Sequence, residues 1–207
     1  MKLKTLIVSI LLILFCRSFL PASSFVSIRY VYDGDTAVLG TGEELRYLGI
    51  DAPEIGRQGK KSDFMALESR NYNRQMVRNA SVRLEFDEER KDRHGRLLAY
   101  VFLESGDMLN ALLLKKGLAF VMANKPNTKY TALLLDCQRQ AMMEKVGIWS
   151  KPPEKTEPYY SGNRDSSRFH RPDCPLAKRI QRSNLIRFER WEHAHWEGFS
   201  PCRQCKP

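Results

Sequence analysis

The sequence predicts an α+β, mainly β fold: a small five-stranded barrel carrying three helices, followed by a separate small α/β module. Three observations carry this expectation. Five short runs of β-branched and aromatic residues, at 25–32, 36–39, 44–48, 82–86 and 97–102, alternate partially and are separated by Gly/Asp turns. Three apolar stripes recur at helical spacing, one between the third and fourth runs and two after the fifth. Residues 151–160 (Lys-Pro-Pro-Glu-Lys-Thr-Glu-Pro-Tyr-Tyr) are rich in proline and charge, so they read as a stiff linker. Beyond it, residues 161–207 hold three of the five cysteines and three of the four histidines.

Each element has its own warrant. Residues 1–24 form a targeting segment: Lys2 and Lys4, an uncharged run over 5–16, then the small residues Ala22-Ser23-Ser24. As a helix, that apolar run would rise about 18 Å, short of a roughly 30 Å hydrocarbon core. A signal peptide is therefore expected, and with it a secreted or periplasmic location; a membrane anchor follows only if the segment stays uncleaved. Cys16 stands behind bulky Phe15, which argues against a lipid attachment site. The barrel domain is expected over 25–150. Ala66, Ser69, Tyr72 and Met76 give the first helical stripe, across 63–79. Leu109, Leu112 and Leu113 give the second, with Gly117 as its C-terminal stop. Leu133, Leu134, Cys137 and Ala141 give the third, which makes Cys137 a small core residue rather than a nucleophile.

Length and charge set the outer limits. A chain of 207 residues builds one sizeable domain plus a satellite, and 43% hydrophobic against 28% charged residues speaks for a folded protein. The net charge of +10 is concentrated at the two ends, leaving a near-neutral body with a basic tail. Such a tail suits a polyanion, because lysine and arginine displace counterions from phosphates.

The chemistry lies in three runs. Asp33-Gly34-Asp35-Thr36 places two acids around a glycine at the first turn, alone no more than a hairpin signal. Leu45-Arg46-Tyr47-Leu48-Gly49-Ile50-Asp51-Ala52-Pro53-Glu54 puts charges into an apolar strand and the turn after it. With period two, an inward-facing Arg46 requires an anionic partner. Asp92-Arg93-His94-Gly95-Arg96 supplies another arginine at a strand entrance.

In this order the runs resemble the staphylococcal nuclease family: Asp-Gly-Asp-Thr, then Arg-x6-Asp-x-Pro-Glu, then Asp-x-x-Gly-Arg-x-x-Ala-Tyr. Gly117-Leu118-Ala119, Lys125-Pro126-Asn127 and Gly147-Ile148-Trp149-Ser150 match as well. The resemblance spans about 25–150 and implies an OB-fold barrel with three helices and calcium-dependent cleavage of DNA and RNA. It implies that Asp35, Asp51 and the Ala52 backbone carbonyl bind calcium, a hard cation suited to oxygen ligands. It assigns Glu54 to the attacking water and Arg46 and Arg96 to the phosphate, on which planar guanidinium forks act in bidentate fashion. Two features depart from the family. Alanine stands at position 52 where threonine is usual, and Val121-Met122-Ala123 and His94 replace aromatic residues that contact the nucleotide. His94 is expected to contact phosphate or stay neutral at the surface, not to bind metal.

The tail carries a second pattern. His170 and Cys174 are separated by three residues, and Cys202-Arg203-Gln204-Cys205 forms a knuckle 28 residues after Cys174. Four ligands in two pairs meet the tetrahedral demand of structural zinc, and a segment of 47 residues needs such a staple. His193 and His195 are rival ligands with poor spacing for the knuckle, and a Cys202–Cys205 disulfide is the oxidised alternative in an exported protein. The segment resembles the metal-binding domain of the Ada family, including Arg179-Ile180 and the Gly-Phe-x-Pro-Cys-x-x-Cys-x-Pro ending. His170 stands where that family has its methyl-accepting cysteine, so a structural or DNA-binding role is expected instead.

The expected function is thus a monomeric nuclease acting on DNA or RNA, with calcium at the reacting centre and zinc in the tail. The rival is a nucleic-acid-binding protein with a relic site. Intact Arg46, Glu54 and Arg96 favour the enzyme.

Overall fold

A computed structural model describes residues 25–56, 58–123 and 125–207. The expected signal peptide at 1–24, including Cys16, lies outside the described residues. Five strands close a barrel in the order β1-β2-β3-β6-β5: β1 (Phe25–Val31), β2 (Thr36–Leu39), β3 (Glu44–Tyr47), β5 (Ser81–Glu85) and β6 (Leu97–Leu103). Neighbours are antiparallel except β3 and β6, which run parallel with Leu45 opposite Leu97 and Arg46 opposite Leu98. A two-stranded ribbon stands beside the barrel, β4 (Ile50–Asp51) pairing with β7 (Phe120–Val121) so that Asp51 faces Phe120. These two-residue strands are too short to give a periodic signal and are not foreseen.

The three expected helices are α1 (Ala66–Val77), α2 (Leu109–Lys115) and α3 (Thr131–Glu144). Gly117 ends α2 as expected: its φ of 62° places it in the left-handed region, and its N–H donates to the Leu114 carbonyl at 2.8 Å. The buried helix faces differ in detail from the apolar stripes. On α1, Asn73 and Val77 are buried while Tyr72 and Met76 are only half-buried; on α3, Gln138 is buried and Leu133 is exposed. The buried amides are paired, which is what allows them inside. Asn110 on α2 accepts from the Val101 N–H at 2.9 Å and donates to the Leu48 carbonyl at 2.8 Å, tying β6 to the end of β3. Cys137 packs in the core, as expected.

The module is a four-stranded sheet in the order β10-β8-β9-β11, formed by β8 (Tyr160–Asn163), β9 (Arg168–His170), β10 (Leu185–Phe188) and β11 (Ser200–Pro201), with α4 (Trp191–Trp196). Tyr160, the last residue of the predicted linker, already pairs with Phe188 in this sheet. The module's own apolar core is small, centred on Tyr160, Phe169, Phe188 and Ala194.

It is not a loose satellite. Gln138 spans the boundary: its carbonyl oxygen accepts from the Val121 N–H and its amide donates to the His195 carbonyl, both at 2.6 Å. The His195 ring stacks on Phe120 with centroids 4.9 Å apart, and meets Trp149 and Phe169 edge-on at the same distance. Trp149 and Trp191 stack across the junction at 6.2 Å. Aromatic pairs of this kind contribute roughly 0.5–1.5 kcal/mol each beyond simple burial. His195 is therefore a junction residue rather than a rival zinc ligand.

Burial drives the His195 pKa down to about 3, with the protonated ring disfavoured among apolar neighbours. The unfolded imidazole binds a proton near pH 6.5 while the folded one stays neutral, so this contribution is full above pH 6.5 and shrinks on acidification toward 3. Wild-type protein is expected to lose roughly 2 kcal/mol between about pH 6.5 and 5 from this residue alone. His195→Phe should show a correspondingly shallower decline in urea denaturation. Equal slopes for the two proteins would count against the assignment.

A candidate phosphate and metal site at the barrel mouth

The first turn is shaped by its acids. The Asp35 N–H donates to Asp33 Oδ1 at 3.0 Å, and Asn73 Nδ2 on α1 donates to the carbonyls of Asp33 and Gly34 at 3.1 and 3.2 Å. Gly34 is required by closeness: a Cβ there would lie 1.9 Å from Ser69 Oγ and 2.7 Å from the Ala52 Cβ. The turn is thereby pressed against α1 and the Ala52 loop, which carries Asp35 to the end of β3.

Arg46 on β3 points inward, as its strand period predicts, and is 7% exposed. Its Nη1 donates to the carbonyls of Tyr47 and Ile50 at 3.0 and 2.8 Å and contacts Asp35 Oδ1 at 3.2 Å. Its Nη2 reaches Asp51 Oδ1, also at 3.2 Å. Asp35 additionally accepts from Thr36 Oγ1 at 2.8 Å and from the Ala52 N–H at 2.5 Å. One buried guanidinium thus holds two buried carboxylates together.

The two acids are not equivalent. Burial pushes Asp35 up to about 7, against the pull of Arg46 and the Ala52 amide and with the help of Asp33 and Asp51. Burial also pushes Asp51 upward, but Arg46, Arg168 and Arg203 together hold it below the usual carboxylate range. Adjacent hard-oxygen acids of this kind are the donor chemistry a divalent cation requires. The Ala52 backbone is anchored beside them through its amide.

Asp35, Arg46, Glu54 and Arg96 all line one open cavity of about 730 Å³, with Asp51 buried behind it. Arg96 is held at the rim by Asp92, through contacts of 2.8 Å from Nε and 2.7 Å from Nη2. His94 is exposed and outside the cavity lining, with its ring Nε2 3.2 Å from Arg93 Nε. Met122, where an aromatic residue was to be expected, faces the cavity.

Sequence reasoning missed the basic residues that the module adds to this cavity. Arg168 Nη1 contacts Asp51 Oδ2 at 2.9 Å, and Arg203 Nη2 contacts Asp51 Oδ1 at 2.5 Å. Arg203 Nη1 also pairs with Glu54, and Lys206 pairs with Asp63. Lys60 and Lys61 line the cavity too. The only forewarning was the basic charge of the tail.

Within the module, His170, Cys174, Cys202 and Cys205 gather with their ligand atoms within 4.8 Å of one another. Tetrahedral zinc places N and S donors roughly 3.3–3.8 Å apart; this cluster matches in donor type and number, and its Cys174 Sγ–His170 Nδ1 separation of 3.6 Å falls in that range. Cys174, Cys202 and Cys205 are not bonded to one another, so all three sulfurs are available to a metal. Backbone N–H groups of Arg171 and Gln204 donate to Cys205 Sγ and Cys202 Sγ at 3.3 and 3.4 Å, contacts that fix where the two sulfurs point.

Comparison with known proteins agrees with both halves. Residues 44–151 match the family model described as staphylococcal nuclease homologue, and residues 148–207 match that of the metal binding domain of Ada. The chain is 35% identical over 127 residues to the thermonuclease of Staphylococcus intermedius, covering 60% of this chain and 75% of that protein. It is 38% identical over 123 residues to the thermonuclease of Staphylococcus hyicus, covering 58% and 72%. To endonuclease YncB of Bacillus subtilis (strain 168) it is 34% identical over 142 residues, covering 66% and 67%.

Removing Arg46 leaves Asp35 and Asp51 facing each other without their shared cation. Arg46→Met is expected to destabilise the protein by about 3 kcal/mol or more in urea denaturation without added divalent ion. A loss below about 1 kcal/mol, typical of exposed pairs, would mean the cluster is solvated rather than buried.

Proposed function

The chain belongs to the staphylococcal nuclease family, and from that premise we propose that it hydrolyses phosphodiester bonds of DNA or RNA at the barrel mouth with the help of calcium. The observation that carries this reading is the convergence of Asp35, Arg46, Glu54 and Arg96 on one cavity. A phosphodiester repels an incoming hydroxide, and its transition state gathers negative charge that the site must offset. Arg46 and Arg96 offer planar forks for the phosphate oxygens, one fixed deep in the cavity and the other at its rim. Glu54, on the loop between them, orients or deprotonates the attacking water. Asp35, Asp51 and the Ala52 carbonyl would hold calcium, which supplies Lewis-acid polarisation of the phosphate when bound.

The module is read as a structural zinc site with His170, Cys174, Cys202 and Cys205 as ligands. The basic start, the apolar run over 5–16 and the small residues after it support the reading of an exported enzyme.

Plasmid DNA tests the catalytic reading. Calcium-depleted, zinc-loaded protein is expected to cut only after calcium is restored, and Glu54→Gln should lower the rate by roughly 10²–10⁴-fold. DNA left intact across a range of pH and calcium concentration would favour the binding-only alternative. Elemental analysis tests the module: one zinc per chain is expected, and Cys202→Ser should lose it. Purified protein with no zinc and a stoichiometric disulfide would remove that assignment.

A further inference from the structure

The cavity at the barrel mouth is built by both parts of the chain. The barrel domain lines it with five carboxylates and four bases, so on its own it presents an excess of acid. A phosphodiester entering such a cavity before any cation has bound meets net repulsion. The module contributes Arg168, Arg203 and Lys206 to the same lining, which reverses the sign.

Two of these are placed where the chemistry would occur. Arg203 bridges Asp51 and Glu54, one Nη on each carboxylate. Arg168 holds the other oxygen of Asp51, while its guanidinium is also fixed by the Pro201 carbonyl at 2.7 Å and by Met122 Sδ at 3.1 Å. Arg203 remains about half exposed, at 49% of its side chain, so it can turn from carboxylate to incoming anion without leaving the cavity. A guanidinium of this kind forms two parallel hydrogen bonds with a phosphate.

The anchoring of Arg203 is equally specific. It lies between Cys202 and Cys205, two of the four clustered ligand residues. Cys202 is tied through its N–H to the Phe169 carbonyl at 2.9 Å, and the Cys205 carbonyl accepts from Arg171 Nε at 3.0 Å. Arg171 is in turn held by Glu157 at 2.7 Å. The loop that presents Arg203 is therefore the loop whose shape the metal cluster sets.

We propose that Arg168 and Arg203 are substrate-binding residues of the nuclease site, gripping phosphates of the nucleic acid, so that the metal knuckle is a working part of that site. The inference rests on the reading of the cavity as a phosphodiester site. It adds a third and a fourth guanidinium to Arg46 and Arg96, and it gives the module a role that a separate DNA-binding appendage would not have.

The test uses the full zinc-loaded chain with Arg203→Ala, Arg168→Ala and Arg203→Lys. Zinc content is measured first and is expected to stay at one per chain. Binding of a fluorescein-labelled single-stranded DNA 12-mer is then followed by anisotropy in calcium-free buffer, where cleavage does not intervene. Each alanine variant is expected to bind about tenfold more weakly, with the slope of log affinity against log salt reduced by about 0.7 per lost phosphate contact. In the cleavage assay KM should rise in step while kcat changes far less, and Arg203→Lys should recover part of the binding. Unchanged affinity and salt slope in both alanine variants, with zinc retained, would overturn the proposal. So would tighter binding or faster cleavage, since the arginines would then obstruct the site. Wild-type protein that binds the DNA with these arginine-dependent slopes but never cuts would refute the catalytic reading while leaving this one standing.

Discussion

A positive charge buried at the mouth of a small barrel dominates this structure. Arg46 has little access to water, so the N–H groups of its Nη1 and Nη2 rely largely on partners in the protein. Two backbone carbonyls and two carboxylates are those partners, drawing the first turn, the end of β3 and the short ribbon into one place. The need extends outward. Asn73 braces the first turn, Tyr47 donates to the Asn73 carbonyl oxygen at 3.0 Å, and Gly34 leaves room for Ser69 and Ala52. The architecture of the cavity is largely that of compensating a single guanidinium.

The acids do not simply neutralise it. Asp51 is surrounded by three guanidinium groups, whereas burial outweighs Arg46 at Asp35. The cluster therefore contains one carboxyl that favours ionisation and one that resists it, side by side. A cation arriving between them would meet both, and it would add to the pull of Arg46 at Asp35, where burial alone outweighs that pull. Glu54, nearer solvent and paired with Arg203, stands apart from this buried group.

What the sequence disclosed follows from how local the signals are. Arg46 stood out because a charge in an apolar strand demands a partner, and the resemblance to the nuclease family pointed to Asp35 and Asp51. The five strands and three helices were legible from their periodicity, and Gly117 from its place after a leucine stripe. Gln138, Asn73 and Asn110 were not legible as core residues, because their burial depends on backbone groups that other elements bring to them. Arg168 and Arg203 were hidden for a related reason: their contacts with Asp51 span 117 and 152 residues, and no pattern along the chain encodes such a meeting. The role of His195 was obscured by its chemistry, since a histidine near cysteines suggests a ligand before it suggests a junction. The gathering of His170, Cys174, Cys202 and Cys205, by contrast, was legible in their spacing.

The stacked indoles of Trp149 and Trp191 lie on opposite sides of the seam between barrel and module, nearly parallel at 9°. Two chromophores this close couple their electronic transitions, and the coupling vanishes when they separate by more than a few ring widths. The protein thus carries an internal optical gauge of its own assembly, a circular-dichroism signature of the docked state that needs no attached dye.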